Sequence, residues 1–518
     1  MTHNGMSSGE DSLVDATRSR SNCGVGVVMD LDGDGGSRIV DESLQVLENM
    51  EHRGTTGAEE ATGDGAGIML RIPHEFFSAV VDADLPSTGN YAVGTLFFPC
   101  DDEARHRLKL LVEDALVEEG LEVRTWRSVP TDNSRLGDTA IESEPHVEQV
   151  FIVPRDESTD TGLTADEFDR RLYVARRVVE NRVDTKQPPG YEQCYIVSLD
   201  RKTVIYKGLL KASQLATYYP DLTDERMRSV FAMVHARFST NTLGAWHLAH
   251  PFRTMVHNGE FNTIRGNINW MRSRETDLAH DAFGDDIEKI KPIIDDPDQS
   301  DTASLDNVLE LLLEGGRSLP HALRMLIPEA WRGDETAIDE KRQEFYEYHA
   351  SLIEPWDGPA LVVGTDGERV GAVLDRNGLR PCRYDLLSDD TLVMASEVGV
   401  LPYDESEIVE RGRLQPGQCF VADPTEGRIV PDADVFDEIT DEQYGTWVAD
   451  EQVQLDDQTQ ADTEPQASNT IRAKQAMFGY TYDVRVYPQS ISIVSRRSRE
   501  IGCVDRCNRR TNVSRRDG

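Results

Sequence analysis

Four short aliphatic runs crowd the chain after residue 358: Ala360–Val363, Val370–Leu374, Thr391–Met394 and Gln418–Val421, with few helical signals between them. Runs of this length and composition, bounded by Gly, Asp and Pro, read as strands. Earlier strands are expected at 65–72, 91–98, 147–154, 193–199, 203–206 and 230–236. Helices are expected at 102–118, 165–181, 301–314 and 338–354, the first carrying Leu108, Leu111 and Ala115 on one stripe. Structure begins abruptly at Cys23–Asp30, a run of small and apolar residues closed by an Asp-Gly-Asp-Gly-Gly turn. Asp41 then opens a helix with Val46, Leu47 and Met50 on one face. Strand-rich blocks separated by helical ones predict α+β layers rather than a regular βαβ repeat. No internal repeat is visible.

The length of 518 residues allows two or three ordinary domains or one large one with insertions. The formal charge of −40 argues against nucleic acid as a partner, because binding phosphates requires clustered cations. A hydrophobic fraction of 38% is enough for a sizeable core and argues against wholesale disorder. The acidic residues are spread along the chain, which fits either a strongly solvated surface or a halophilic shell that stays hydrated in concentrated salt. No apolar run approaches the ~18 residues of a membrane span. The first 22 residues have no apolar segment of a secretory signal. The seven Cys are scattered, which suggests free thiols in a reducing compartment; Cys503 and Cys507 have no second ligand pair, so no metal site is expected. A cytoplasmic location follows as the expectation.

Residues 1–22 read as a leader, 23–450 as the structured domain, and 451–485 as a flexible linker. Residues 486–518 hold eight Arg against three acidic residues and show no periodicity. Their composition reads as an atypical tail, translated out of frame or belonging to a truncated gene, with a basic interaction tail as the alternative.

Cys23 taken alone reads as a small buried residue rather than as a nucleophile. If the leader is removed, Cys23 becomes the first residue, and its free α-amine, with an ordinary pKa of ~7.7–8.0, is a built-in general base. Around it in sequence stand Glu51-His-Arg-Gly54, Thr62-Gly-Asp-Gly-Ala-Gly67, Ala236-Arg-Phe-Ser-Thr-Asn-Thr242, His257-Asn-Gly-Glu-Phe-Asn-Thr-Ile-Arg-Gly266 and Ser300-Asp-Thr-Ala-Ser-Leu-Asp306. Leu374-Asp-Arg-Asn-Gly-Leu-Arg-Pro381, Ala395-Ser-Glu-Val-Gly399 and Arg411-Gly-Arg-Leu-Gln-Pro-Gly417 follow. With these motifs in this order, the chain resembles the N-terminal glutamine amidotransferase domain of the glutamate synthase large subunit, a class II, N-terminal-nucleophile amidotransferase. The resemblance runs from Cys23 to about residue 485 and implies a four-layer αββα sandwich.

It also implies roles. Cys23 would attack the side-chain amide of L-glutamine and form a thioester. Asn258 and Gly259 would build the oxyanion hole, where each donor contributes ~3–4 kcal/mol; without the resemblance they read as a hairpin turn. Arg237 would clamp the α-carboxylate with its planar fork. Thr240 would add a hydroxyl, and Asp301 would bind the α-ammonium, unless it is simply a helix N-cap. Arg53 would orient Cys23 and the substrate.

His250 departs from the family pattern, which has Gln before Pro-Phe-Arg, leaving either a pocket-wall or a packing role. The resemblance further implies that FMN and an iron–sulfur cluster belong to a synthase region not in this chain, so no cofactor is expected here. A separate synthase chain or a small subunit is then a possible partner. The rival reading is a catalytically silent fragment or a glutamine-binding module; a second rival feeds ammonia to a phosphoribosyl acceptor.

Overall fold

A computed structural model describes residues 23–54, 59–155, 163–237, 244–296, 299–332, 338–441, 443–452 and 473. The leader 1–22, the tail 486–518, most of the linker 451–485 and Thr240 lie outside the described residues.

The run that opens at Gly24 becomes the centre of a seven-stranded antiparallel sheet. Gly24–Asp30 pairs with Phe231–Ala236 on one side and Thr391–Ala395 on the other, in the registers Gly24↔Ala236 and Gly26↔Ala395. Its two glycines are there for close approach. A Cβ on Gly26 would meet Val46 Cγ1 at 2.5 Å, so the helix Ser37–Asn49 can lie flat on the outer face only because side chains are missing. That helix buries Ile39, Val40, Val46 and Leu47, each worth about 1.5–3 kcal/mol of apolar burial. It starts at Ser37, before the Asp41 expected from sequence, and Gly36 gives it no side-chain cap.

A second sheet, in spatial order Arg428–Val430, Cys419–Asp423, Val370–Leu374, Ala360–Thr365 and Met255–Gly259, shares one apolar core with the first. Val25 and Val27 belong to that core together with Val256, Leu361 and Val363. On its outer face lie the helices Asp301–Glu314 and Leu319–Leu326; Gly371 admits the latter, since a Cβ there would meet Leu323 Cδ1 at 2.9 Å. Helix, sheet, sheet, helix is the αββα order the sequence pointed to.

A third sheet of Leu121–Ser128, His146–Pro154, Ala92–Phe98 and Tyr195–Asp200 joins the helices Asp102–Glu118 and Ala165–Lys186. Thr164 and Glu167 close a capping box on the second helix, which runs on to Lys186. A buried ion network fixes this layer to the helix Asp301–Glu314. Glu180 accepts from Arg176 and Arg253, each at 2.8 Å, and Arg176 also reaches Glu310. The expected helix at 338–354 is shorter, Glu340–His349, and is capped by Asp339. The first compact unit runs to Glu442; the helix Tyr444–Glu451 belongs to the second unit. No described helix is long and apolar enough to cross a membrane.

Candidate active site

Cys23 stands one residue ahead of the central strand. In the antiparallel pairing, Val25 lies opposite His235, and His235 reaches toward the second sheet. Side chains alternate along a strand, so Cys23 and the residue facing it, Arg237, fall on the same inner side as His235. Arg237 is buried. Its main-chain N–H donates to Gly65 O at 2.9 Å, and its Nη1 donates to Asp64 O at 3.2 Å. Burial holds this guanidinium below its ordinary pKa, while the charges of Asp64, Cys23 and Asp301 pull the other way. One cation therefore faces the nucleophile and the carboxylate assigned to opposite ends of an amino-acid substrate.

Asn258 and Gly259 end the strand Met255–Gly259; they do not form a turn. Among the described residues this is an edge strand, paired with Ala360–Thr365 alone. Glu260 N donates to Pro359 O at 3.2 Å, so alternation turns the Gly259 N–H to the open edge. The carbonyl of His257 points to that edge too, where it accepts from His235 Nε2 at 2.8 Å. Asn258 is 1% exposed, and its Nδ2 has no hydrogen-bond partner among the described residues. Buried donors are nearly always paired, so this one is free to bond a ligand, as the oxyanion-hole expectation requires. A Cβ on Gly259 would sit 2.0 Å from Pro359 O, so no other residue fits.

Asp301 occupies the first turn of the helix Asp301–Glu314, and the N-cap is Ser300, whose hydroxyl accepts from Ala303 N at 3.1 Å. This corrects the N-cap reading of Asp301. Its carboxylate accepts instead from Phe261 N at 3.0 Å and Thr302 N at 2.7 Å. Thr302 Oγ1 donates to Asp301 at 3.3 Å and lies 2.9 Å from His257 Nδ1. A chain of contacts thus runs from the strand ending in Asn258 to the carboxylate.

Arg53 lies beside the nucleophile's neighbour, since a Cβ on Gly24 would be 3.5 Å from Arg53 Cβ. Its Nε donates to Glu397 at 2.5 Å. His250 is a packed residue, stacked on His235 with ring centroids 4.0 Å apart, and burial keeps it uncharged. Other residues of the quoted motifs have structural work that sequence alone did not assign. Ser396 Oγ accepts from Val25 N at 3.0 Å and its own N–H returns to Val25 O, clamping the strand behind Cys23. Asp375 accepts from Ala360 N at 3.1 Å, and Arg380 Nε donates to Pro359 O at 3.3 Å, fixing the backbone against which Gly259 lies. The motif runs were the available signal.

Residues 23–447 match the family of class-II glutamine amidotransferases, and the match begins at Cys23. The chain belongs to that family. It is 42% identical over 468 residues to the glutamate synthase [NADPH] large chain of Bacillus subtilis (strain 168), covering 90% of this chain and 30% of that one. It is 41% identical to the glutamate synthase [NADH] of Saccharomyces cerevisiae, over 86% of this chain and 21% of that one. With the chloroplastic ferredoxin-dependent glutamate synthase 2 of Arabidopsis thaliana it shares 39% identity, over 93% and 29%. The chain spans less than a third of the length of these relatives.

Proposed function

We propose that this class-II amidotransferase domain hydrolyses L-glutamine to glutamate and ammonia, with Cys23 as an N-terminal nucleophile. Removal of residues 1–22 frees the α-amine of Cys23, which takes the thiol proton. Sγ attacks the side-chain amide carbon, and the oxyanion that forms is received by Asn258 Nδ2 and the Gly259 N–H. Collapse breaks the C–N bond while the amine returns a proton to the departing nitrogen, leaving a γ-glutamyl thioester and free ammonia. Water, deprotonated by the same amine, cleaves the thioester and regenerates the thiol. Arg237 holds the α-carboxylate, Asp301 the α-ammonium, and Thr240 adds a hydroxyl. Arg53, steadied by Glu397, orients the nucleophile's end of the strand.

The observation that supports this reading most is the buried Nδ2 of Asn258, without a hydrogen-bond partner among the described residues. The chemistry draws on a thiol, an amine and hydrogen-bond donors, so the reading calls for no metal or organic cofactor in this chain. The ammonia passes to a synthase region bearing FMN and an iron–sulfur cluster, with a small subunit as a possible further partner. The reading sets the protein in a salt-rich cytoplasm, supported by its charge of −40. Cys23→Ala tests the central assignment: glutamine hydrolysis should vanish while folding is kept. Unchanged hydrolysis would return the silent-fragment reading.

A further inference from the structure

Lys207, on the strand Thr203–Gly208, is fully buried and forms no ion pair among the described residues. The glutamine chemistry gives it no task. Across the sheet it stands opposite Gly67, Gly67 opposite His235, and His235 opposite Val25. Residues directly opposite share a face, so the Lys207 side chain leaves the strand on the same inner side as His235 and Arg237. Burial, reinforced by the charge of Arg253, holds its amine well below the ordinary lysine range, while Asp306 pulls the other way. A buried amine without a carboxylate is costly, and packing alone would be better served by Met. What the amine does is hold a backbone. Its Nζ donates to His247 O at 3.0 Å and lies over the rings of Phe252 and Tyr195, 4.6 and 5.0 Å from their centroids.

His247 belongs to a segment, residues 246–250, that is seated on the sheet at three glycines. A Cβ on Gly208 would collide with the Trp246 ring, and one on Gly67 with His250 O. At Gly65 a Cβ would lie 2.9 Å from Ala249 Cβ. The glycines clear the room, and Lys207 supplies the tether.

Gly65 is also where Arg237 is fastened. The Gly65 carbonyl accepts from Arg237 N at 2.9 Å, and the neighbouring Asp64 carbonyl accepts from Arg237 Nη1 at 3.2 Å. The segment that Lys207 ties down therefore packs against the very backbone that aims the guanidinium. A carbonyl that shifts by a few tenths of an ångström turns a bond of this length into a poor one.

We propose that Lys207 is a positioning residue for the α-carboxylate of glutamine: by anchoring residues 246–250 over Gly65, it fixes the direction of Arg237. The inference rests on the hydrolysis reading and deepens it. Lys207→Met, which keeps the volume and loses the donor, should raise KM for glutamine about tenfold with kcat nearly unchanged. The analogue 4-aminobutanamide lacks the α-carboxylate, so parent and variant should hydrolyse it alike. In an Arg237→Leu background, Lys207→Met should add no further loss, because the group it aims is gone. Lys207→Gln, shorter but still a donor, should show a milder form of the same split, which keeps the test open if the Met variant folds poorly. Glutamine affinity by calorimetry, in Cys23→Ala with and without Lys207→Met, should fall by the same factor as KM rises. Hydrolysis that persists in Cys23→Ala would sink the nucleophile assignment and leave this affinity comparison standing. Unchanged KM and affinity in both Lys207 variants, or an equal loss on glutamine and on 4-aminobutanamide, would overturn the proposal.

Discussion

His235 Nε2 donates to the main-chain carbonyl of His257 at 2.8 Å, tying the strand that leads to Arg237 to the strand that ends in Asn258 and Gly259. A carbonyl can only accept, so the bond fixes the Nε2–H tautomer of His235. The two halves of the candidate site, one on each sheet, are joined by this contact and by the shared core. His235→Leu should cost about 1–3 kcal/mol, because the His257 carbonyl is left buried without its donor. It should also lower kcat for glutamine. Chemical denaturation beside steady-state kinetics reads both, and full stability with full activity would contradict the role.

Asn258→Ala removes the side-chain half of the oxyanion hole. The expected loss is about 10²–10³ in kcat, or ~2.7–4 kcal/mol, with little change in KM. A rise in KM at constant kcat would instead make Asn258 a substrate-binding residue.

Asp301→Asn keeps the shape but removes the negative charge facing Arg237. KM for glutamine should rise at least tenfold, while an analogue lacking the α-amine should bind the variant and the parent alike. His257→Ala should show a weaker version of the same pattern, since it reaches Asp301 through Thr302 and through Phe261, on which it stacks and whose N–H Asp301 accepts.

Acid should weaken the fold from two directions. Burial pushes His235 down to about 3 and His349 to about 4, so in the folded chain both stay uncharged where the unfolded chain takes up protons near 6.5. A group with a depressed folded pKa contributes stability that is present above the unfolded value and is lost as pH falls. Each histidine should remove about 1.4 kcal/mol per pH unit between roughly 6.5 and 4. For Glu180, burial pushes upward, but Arg176, Arg253 and Arg177 outweigh it and bring the carboxyl down to about 2, so its contribution fades below about 4.5. Urea midpoints at pH 7.5, 6 and 5 should fall in that order, and a flat profile would refute this account.

Glu180→Ala leaves three guanidinium groups facing one another inside the protein. The expected destabilisation is about 3–5 kcal/mol, read from thermal unfolding, since breaking a buried pair on one side strands the remaining charge.

Much of the fold is legible because its strands are continuous apolar runs. Phe231–Ala236, Val370–Leu374 and Thr391–Ala395 appear nearly where the sequence sets them. Leu121–Ser128 escapes a reading of the sequence because its Glu, Arg and Thr sit on a half-exposed strand, and Met255–Gly259 does because its buried His and Asn are polar and interrupt the apolar run. The Asn-Gly pair looks like a turn for the same reason. Cys23, Arg237, Asn258 and Asp301 can be singled out from motifs, but the ties that bring their strands together cannot. Those ties are long-range contacts, such as Val25 to Ser396 and His235 to His257, and no spacing in the sequence encodes them.

The central claim is that Cys23 becomes a reactive N-terminal residue. An intact mass in high salt, before and after exposure to a diazoketone analogue of glutamine, tests it most directly. The account predicts a chain that begins at Cys23 and gains one adduct, with loss of dinitrogen, and no adduct in Cys23→Ala. A mass that retains residues 1–22 and gains nothing would contradict it.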